Sequence, residues 1–125
     1  PPPMADQRFR PREHLRKRND FRRVFDLRRS VSDDWLIIYG CPNGLPFNRV
    51  GFTVSRKFGS AVRRNRLRRL YREAYRLSRA QLPTGMDLVL LPRSTQTPRL
   101  CTLMQSLRRL VPELARKLSR TPPPP

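Results

Sequence analysis

Histidine, lysine, glycine and acid are all scarce in this chain of 125 residues. His14 is the only histidine. It falls among arginines in a stretch without regular periodicity, where it reads as an exposed residue of a mobile arm. A Ser/His/Asp set would need it held rigidly, so nucleophilic catalysis of that kind is excluded. The two cysteines, Cys41 and Cys101, lie 60 residues apart and form no CxxC or other metal-binding spacing. They read as reduced, structural thiols. No P-loop or GxGxxG is present. No hydrophobic run approaches the roughly 20 residues of a membrane helix. The stretch from Pro1 to Arg12 has no apolar segment of the secretory kind, so the expected location is the cytoplasm. Acids number only nine. Asp33 and Asp34 are adjacent but precede a strand and look like loop residues; a metal-dependent nuclease built on Asp33, Asp34 and Asp87 is a reading that composition alone leaves open.

What the chain has in excess is arginine. Lysine and arginine total 28, giving a net charge of +19. Only Lys17, Lys57 and Lys117 are lysines. Such a molecule repels itself unless a polyanion neutralises it, and nucleic acid is the commonest such partner. Guanidinium binds phosphate through paired hydrogen bonds and stacks on bases, which ammonium does not.

Both ends are proline-rich, at Pro1 to Pro3 and Pro122 to Pro125. The expected organisation is a disordered tail over 1–11, a single RNA-binding domain over 12–119 and a disordered proline tail over 120–125. Within the domain, Asp20 reads as an N-cap, with Phe21, Val24, Phe25 and Arg28 at helical spacing behind it. Trp35 to Tyr39 is a buried-strand pattern, Pro42 to Pro46 a turn, and Val50 to Ser55 a second strand. Together they predict a hairpin. Ser60 opens the strongest helix, which runs to about Leu82, with Leu67, Leu70, Tyr71, Ala74 and Ser78 on its core face. Asp87 to Leu91 is a further strand. Thr97 and Pro98 read as the N-cap and N1 of a last helix, which Pro112 should kink or restart.

The long helix carries the chemistry. Ten basic residues and one acid, Glu73, lie between Arg56 and Arg79. At 100° per residue, Asn65, Arg68, Arg69, Arg72 and Arg76 project away from the core face. A solvated face would mix signs to gain pairs four residues apart. Here Arg64/Arg68, Arg68/Arg72 and Arg72/Arg76 repel instead, by a few tenths of a kcal/mol each. A face that tolerates this repulsion suits a phosphate backbone. Phe21, Phe25, Tyr39 and Phe52 fall on elements able to lie side by side, and aromatics beside arginines stack unpaired bases.

The stretch from Gly51 to Arg76 closely resembles the signature of the protein subunit of bacterial ribonuclease P. The matching elements are Ser55-Arg56-Lys57-Phe58-Gly59-Ser60-Ala61, then Arg64-Asn65-Arg66-Leu67-Arg68-Arg69, then Arg72-Glu73. Leu15 to Phe25 and Gly85 to Arg93 resemble the family's first helix and its Gly-x-Asp strand. The resemblance covers roughly residues 12–118, and the proline tails lie outside it. It implies an α/β (α+β) sandwich, a four-stranded mixed sheet packed with three helices, with a left-handed βαβ crossover. It implies an auxiliary subunit of an endoribonuclease that removes the 5′ leader of precursor tRNA. Catalysis would be carried by the RNA subunit, with Mg²⁺ bound mainly there, and not by protein side chains. By motif matching, Phe21, Phe25, Tyr39 and Lys57 would meet the single-stranded leader. Arg64, Asn65, Arg66, Arg68, Arg69 and Arg72 would face the catalytic RNA. Neither a membrane nor a small-molecule substrate is implied. A basic ribosomal or ribosome-assembly protein is the alternative that shares the charge.

Overall fold

The computed structural model describes residues 10–120. Apart from residues 10, 11 and 120, the two expected tails lie outside them. Four strands form one sheet in the order β1-β2-β4-β3, with β1 at Ser30–Ser32, β2 at Leu36–Pro42, β3 at Arg49–Phe52 and β4 at Met86–Pro92. β1 and β4 run antiparallel to β2, and β3 runs parallel to β4. The helices are α1 (Arg18–Leu27), α2 (Ala61–Ser78) and α3 (Leu100–Arg120). β3 and β4 are thus parallel neighbours joined through α2, a βαβ unit.

Residue parity along the strands decides which face each helix covers, because successive side chains point to opposite sides. Leu36, Ile38, Val50, Leu88 and Leu90 are buried in one cluster with Leu67's neighbours on α2, Tyr71, Ala74 and Tyr75, and with Leu103, Leu107, Leu110 and Leu114 of α3. These are the even positions of β2, β3 and β4. The odd positions Cys41 and Val89 are buried on the other face with Leu15 and Val24, and Phe21, Phe25, Tyr39 and Leu91 pack against them half-buried. α2 and α3 therefore make one helical layer, and α1 lies alone across the opposite face.

The expected hairpin between 35–39 and 50–55 does not form. β4 lies between β2 and β3 and pairs with both. The turn residues instead carry the chain across the end of β4. The Asn43 amide donates to the Phe47 carbonyl at 3.2 Å, and its Oδ1 accepts from Leu45 N–H at 2.8 Å. Asn48 donates to the Pro83 carbonyl at 2.8 Å and accepts from Met86 N–H at 2.9 Å, tying the loop to the start of β4. Local turn chemistry is the same for a tight hairpin and for this wider crossing.

Three helix boundaries also differ from expectation. α1 begins one turn earlier, with Lys17 at the N-cap, so Asp20 sits inside the first turn. Arg28, counted above as a helical position, is the C-cap in the left-handed region at φ 57°. α3 begins at Leu100, past Thr97 and Pro98, and continues through Pro112 without restarting. The carbonyl that Pro112 leaves without a helical donor belongs to Arg108, which is exposed to water. Ser60 does cap α2, its hydroxyl accepting from Arg63 N–H at 3.2 Å.

Asp33 serves the turn between β1 and β2. Its Oδ1 accepts from Trp35 and Leu36 N–H at 2.9 and 3.0 Å, and its Oδ2 from Arg109 at 2.7 Å. Burial opposes the charged carboxylate, but the hydrogen bonds from Ser106, Trp35 and Leu36 and the charge of Arg109 outweigh it and hold the pKa below the usual range. A lowered folded-state pKa contributes stability above the unfolded value, near 3.9, and that contribution is lost as pH falls through the folded value. The stability difference between wild type and Asp33→Asn is expected to be present at pH 6 and to narrow at pH 3, as read by urea denaturation. A gap equal at both pH values would show that this carboxylate's charge is not what the turn uses.

Candidate nucleic-acid interface

The face under α1 is built in cross-strand rows set by the sheet register. Tyr39 of β2, Val89 of β4 and Gly51 of β3 lie side by side in one row. Two rings of α1, four residues apart, lie over it. Phe25 meets Tyr39 edge-on, with centroids 5.0 Å apart and planes at 66°. Phe21 covers Gly51 so closely that a Cβ there would fall 2.6 Å from its Cε1. Any larger residue at this point would push the Phe21 ring away from the sheet. Phe21, Phe25 and Tyr39 are each half-buried, so their inner surfaces fill the layer while their edges reach solvent.

The next row is Cys41, Asp87 and Arg49. Asp87 is fully buried and takes Arg49 through two bonds, Nε to Oδ1 at 2.8 Å and Nη2 to Oδ2 at 2.6 Å. Arg23 of α1 donates to Oδ2, and Asn43 to Oδ1 at 3.0 Å. Asp20 lies 3.7 Å from Arg49. This network clamps α1 to the sheet directly beside the rings. Burial is the largest influence on the neighbouring Cys41 thiol and pushes its pKa up, against the lowering pull of Arg23. Asp87 therefore belongs to the frame. Its row is five residues along β4 from Pro92, the partner of Leu36, so Asp33 lies about 17 Å away along the strands. Asp33, Asp34 and Asp87 cannot share one metal ion, and the nuclease reading built on them is set aside.

On α2 the arginines divide. Asn65, Arg66, Arg69 and Arg72 are exposed. Arg68 is half-buried and donates to Asn65 Oδ1 at 2.7 Å. Arg64 sits on the flank nearest the core, with its Nε buried. Arg76 is held by Glu73 through bonds of 3.1 and 2.5 Å. The resemblance had placed Arg64 and Arg66 with the others, but helical geometry turns them to opposite flanks of the arginine face.

The two surfaces inferred separately from sequence meet in part in one groove of about 530 Å³ at the β3 edge, which Phe21 and Phe52 line but Phe25 and Tyr39 do not. Phe21, Gly51, His14 and Arg16 line it on the α1 side, and Arg68 and Arg72 close it from α2. His14 is not on a mobile arm: it bridges to Val50, and the next residue, Leu15, is buried and donates its N–H to the Val50 carbonyl at 2.9 Å. The signal available in sequence was Leu15 itself, one apolar residue inside a basic stretch. Phe52 belongs by parity to the α2 side of the sheet but also reaches this groove. Lys57 stands apart from the rings. It lies on a 3-10 turn over Arg56–Phe58, its ammonium 5.2 Å from the Phe58 ring, which packs with Val54 and Leu67.

Residues 9–115 match the family model described as Ribonuclease P. The chain belongs to that family. A ribonuclease P protein component from Alkaliphilus oremlandii is 48% identical over 81 residues, covering 65% of this chain and 71% of the relative. One from a Thermoanaerobacter species is 37% identical over 98 residues, covering 78% and 84%. The solved ribonuclease P protein of Thermotoga maritima superposes with a TM-score of 0.70 at 34% identity, covering 78% of this chain and 96% of that one. The Staphylococcus aureus protein gives 0.69 at 25% identity, covering 83% and 95%. The sheet and three helices are the ribonuclease P protein fold, and the family is that of the auxiliary protein subunit of the tRNA-processing ribonucleoprotein. No helix among the described residues is long and apolar enough to cross a membrane.

Proposed function

We propose that this chain assists a catalytic ribonuclease P RNA in the bacterial cytoplasm by holding the single-stranded 5′ leader of precursor tRNA. The observation that carries the reading is the groove in which Phe21 and Phe52 meet Arg68 and Arg72, with Phe25 and Tyr39 beside it on the α1 face of the sheet. Phe21, Phe25 and Tyr39 offer π-faces and edges to unpaired bases, and Arg16, Arg68 and Arg72 offer guanidinium groups to the backbone between them. Lys57 extends the leader path as an outlying cation. Arg69, Arg72, Asn65 and Arg66 take the phosphates of the folded catalytic RNA, with Arg64 and Arg68 on the flank nearer the sheet. Among the described residues no three of His, Cys, Asp and Glu converge. The family resemblance assigns Mg²⁺ to the RNA subunit, where it would supply the hydrolytic chemistry. The protein's part is to orient the leader and neutralise phosphate repulsion.

Reconstitution with the cognate RNA tests this. At low Mg²⁺ the protein is expected to stimulate cleavage of precursor tRNA. Absence of stimulation, with tight binding to ribosomal RNA instead, would favour a ribosomal role. The paired substitution Arg69→Ala/Arg72→Ala is expected to weaken binding of the catalytic RNA and to lower the slope of log K against log salt by about 1.4–1.8, from roughly 0.7–0.9 per phosphate contact. Circular dichroism should be unchanged, because both side chains are exposed. A folded variant with the wild-type slope would remove this face from the RNA contact.

A further inference from the structure

A second cationic surface lies at the other edge of the sheet. Arg28, Arg29 and Ser30 at the entry to β1, with Lys117 and Arg120 at the end of α3, line a pocket of about 360 Å³. Four of its five lining residues are cations and none is acidic. Lys117 donates to the Ser30 carbonyl at 2.8 Å, so the end of α3 is fastened to β1 and the pocket is part of the fold.

One ordinary explanation covers only part of it. Cations near a helix C-terminus gain from the helix dipole, which accounts for Lys117 and Arg120. The dipole of α1 likewise favours Arg28, its C-cap, and Arg29 beside it, but neither dipole explains why the two cationic helix ends converge on one pocket with no acid between them. Arg28 is the C-cap of α1 at φ 57°, the position where glycine is strongly favoured and a side chain is strained. The sequence keeps an arginine there against its own backbone preference, and strain of this kind marks sites where the side chain is wanted.

We propose that this pocket is a second phosphate-binding contact for RNA, separate from the groove at β3. β1 and β3 are the two outer strands, three strand spacings or about 14 Å apart. No single phosphate therefore reaches both Arg72 and the pocket beside Arg28. The pocket takes a phosphate of its own, from either the catalytic RNA or the body of the tRNA. The inference rests on the RNA-binding role proposed above.

The test is the triple variant Arg28→Gly/Arg29→Ala/Arg120→Ala in the full chain. Lys117 is kept for its bond to Ser30, and glycine at position 28 relieves the backbone. Binding of the catalytic RNA and of mature tRNA is measured separately across a salt series. The RNA that uses the pocket is expected to show a slope lower by about 2–3 and an affinity at least tenfold weaker at moderate salt. Arg29→Lys/Arg120→Lys should retain both. If the triple variant loses its circular dichroism signal, Arg120→Ala alone, at the last residue of α3, should still lower the slope by about 1. Wild-type slopes for both RNAs in a folded variant would overturn the second contact alone. A wild-type protein that bound neither RNA would overturn the RNA-binding role and this contact with it.

Discussion

Asp87→Ala is expected to destabilise the chain by about 3 kcal/mol, the lower end of what removing one partner of a buried ion pair costs. Asp87 is fully buried, and two guanidinium groups converge on it. Arg23 is half exposed and can turn to water, whereas Arg49 has only 24% of its side chain exposed and would keep only the longer contact to Asp20 at 3.7 Å to balance its charge beside the gap. The measurement is urea denaturation followed by far-ultraviolet circular dichroism. Adding Arg49→Ala to Asp87→Ala should recover part of the loss, since the stranded charge goes with it. A single variant within 1 kcal/mol of wild type would show that α1 is held by its apolar contacts, chiefly Val24 and Leu15, and not by this network.

The second large effect is on substrate choice. Phe21→Ala is expected to lower the ratio of precursor to mature tRNA affinity of the reconstituted holoenzyme by about ten- to a hundredfold. Only the precursor carries an unpaired 5′ strand, and one lost stacking contact costs on the order of 1–3 kcal/mol. Phe21 also packs against Leu15 and Val89, so the variant must be shown folded. Gly51→Ala separates the two roles. It keeps the ring but forces it off the sheet, because the new Cβ would meet it 2.6 Å away. Both variants should therefore impair leader selection, and neither should change affinity for mature tRNA. An unchanged ratio in folded Phe21→Ala would move the leader off this face.

Much of this site was legible before any coordinates. Phe21 and Phe25 are four apart in a helix and must share a face. Tyr39 alternates with buried Ile38 and must point away from the main core. The outward arginines of α2 follow from Leu67, Tyr71 and Ala74 pointing inward. What could not be read was long-range. Turn residues at 42–46 say that the chain reverses, not that β4 will arrive from 40 residues downstream to sit between the flanking strands. The same insertion brings Asp87 under Arg23 and Arg49, so the clamp was invisible for the same reason. Asp20 looked like a cap because capping and ion pairing favour the same residue near a helix start. The single groove shared by Phe21 and Arg72 depends on β3 being an outer strand, and sequence order placed it in a hairpin.

The placement of Asp87 gives the molecule two different sensitivities to salt. Exposed guanidinium–phosphate attractions are screened within about 10 Å at 0.1 M ionic strength, whereas a buried pair is screened far less. The contacts proposed to hold RNA lie outside, and the contacts that hold α1 over the sheet lie inside. Rising salt should therefore release RNA well before it loosens the aromatic row, and the protein leaves its ligand with its recognition surface still assembled. Dissociation and unfolding are then expected as separate events, so that the same subunit can be stripped with salt and reloaded.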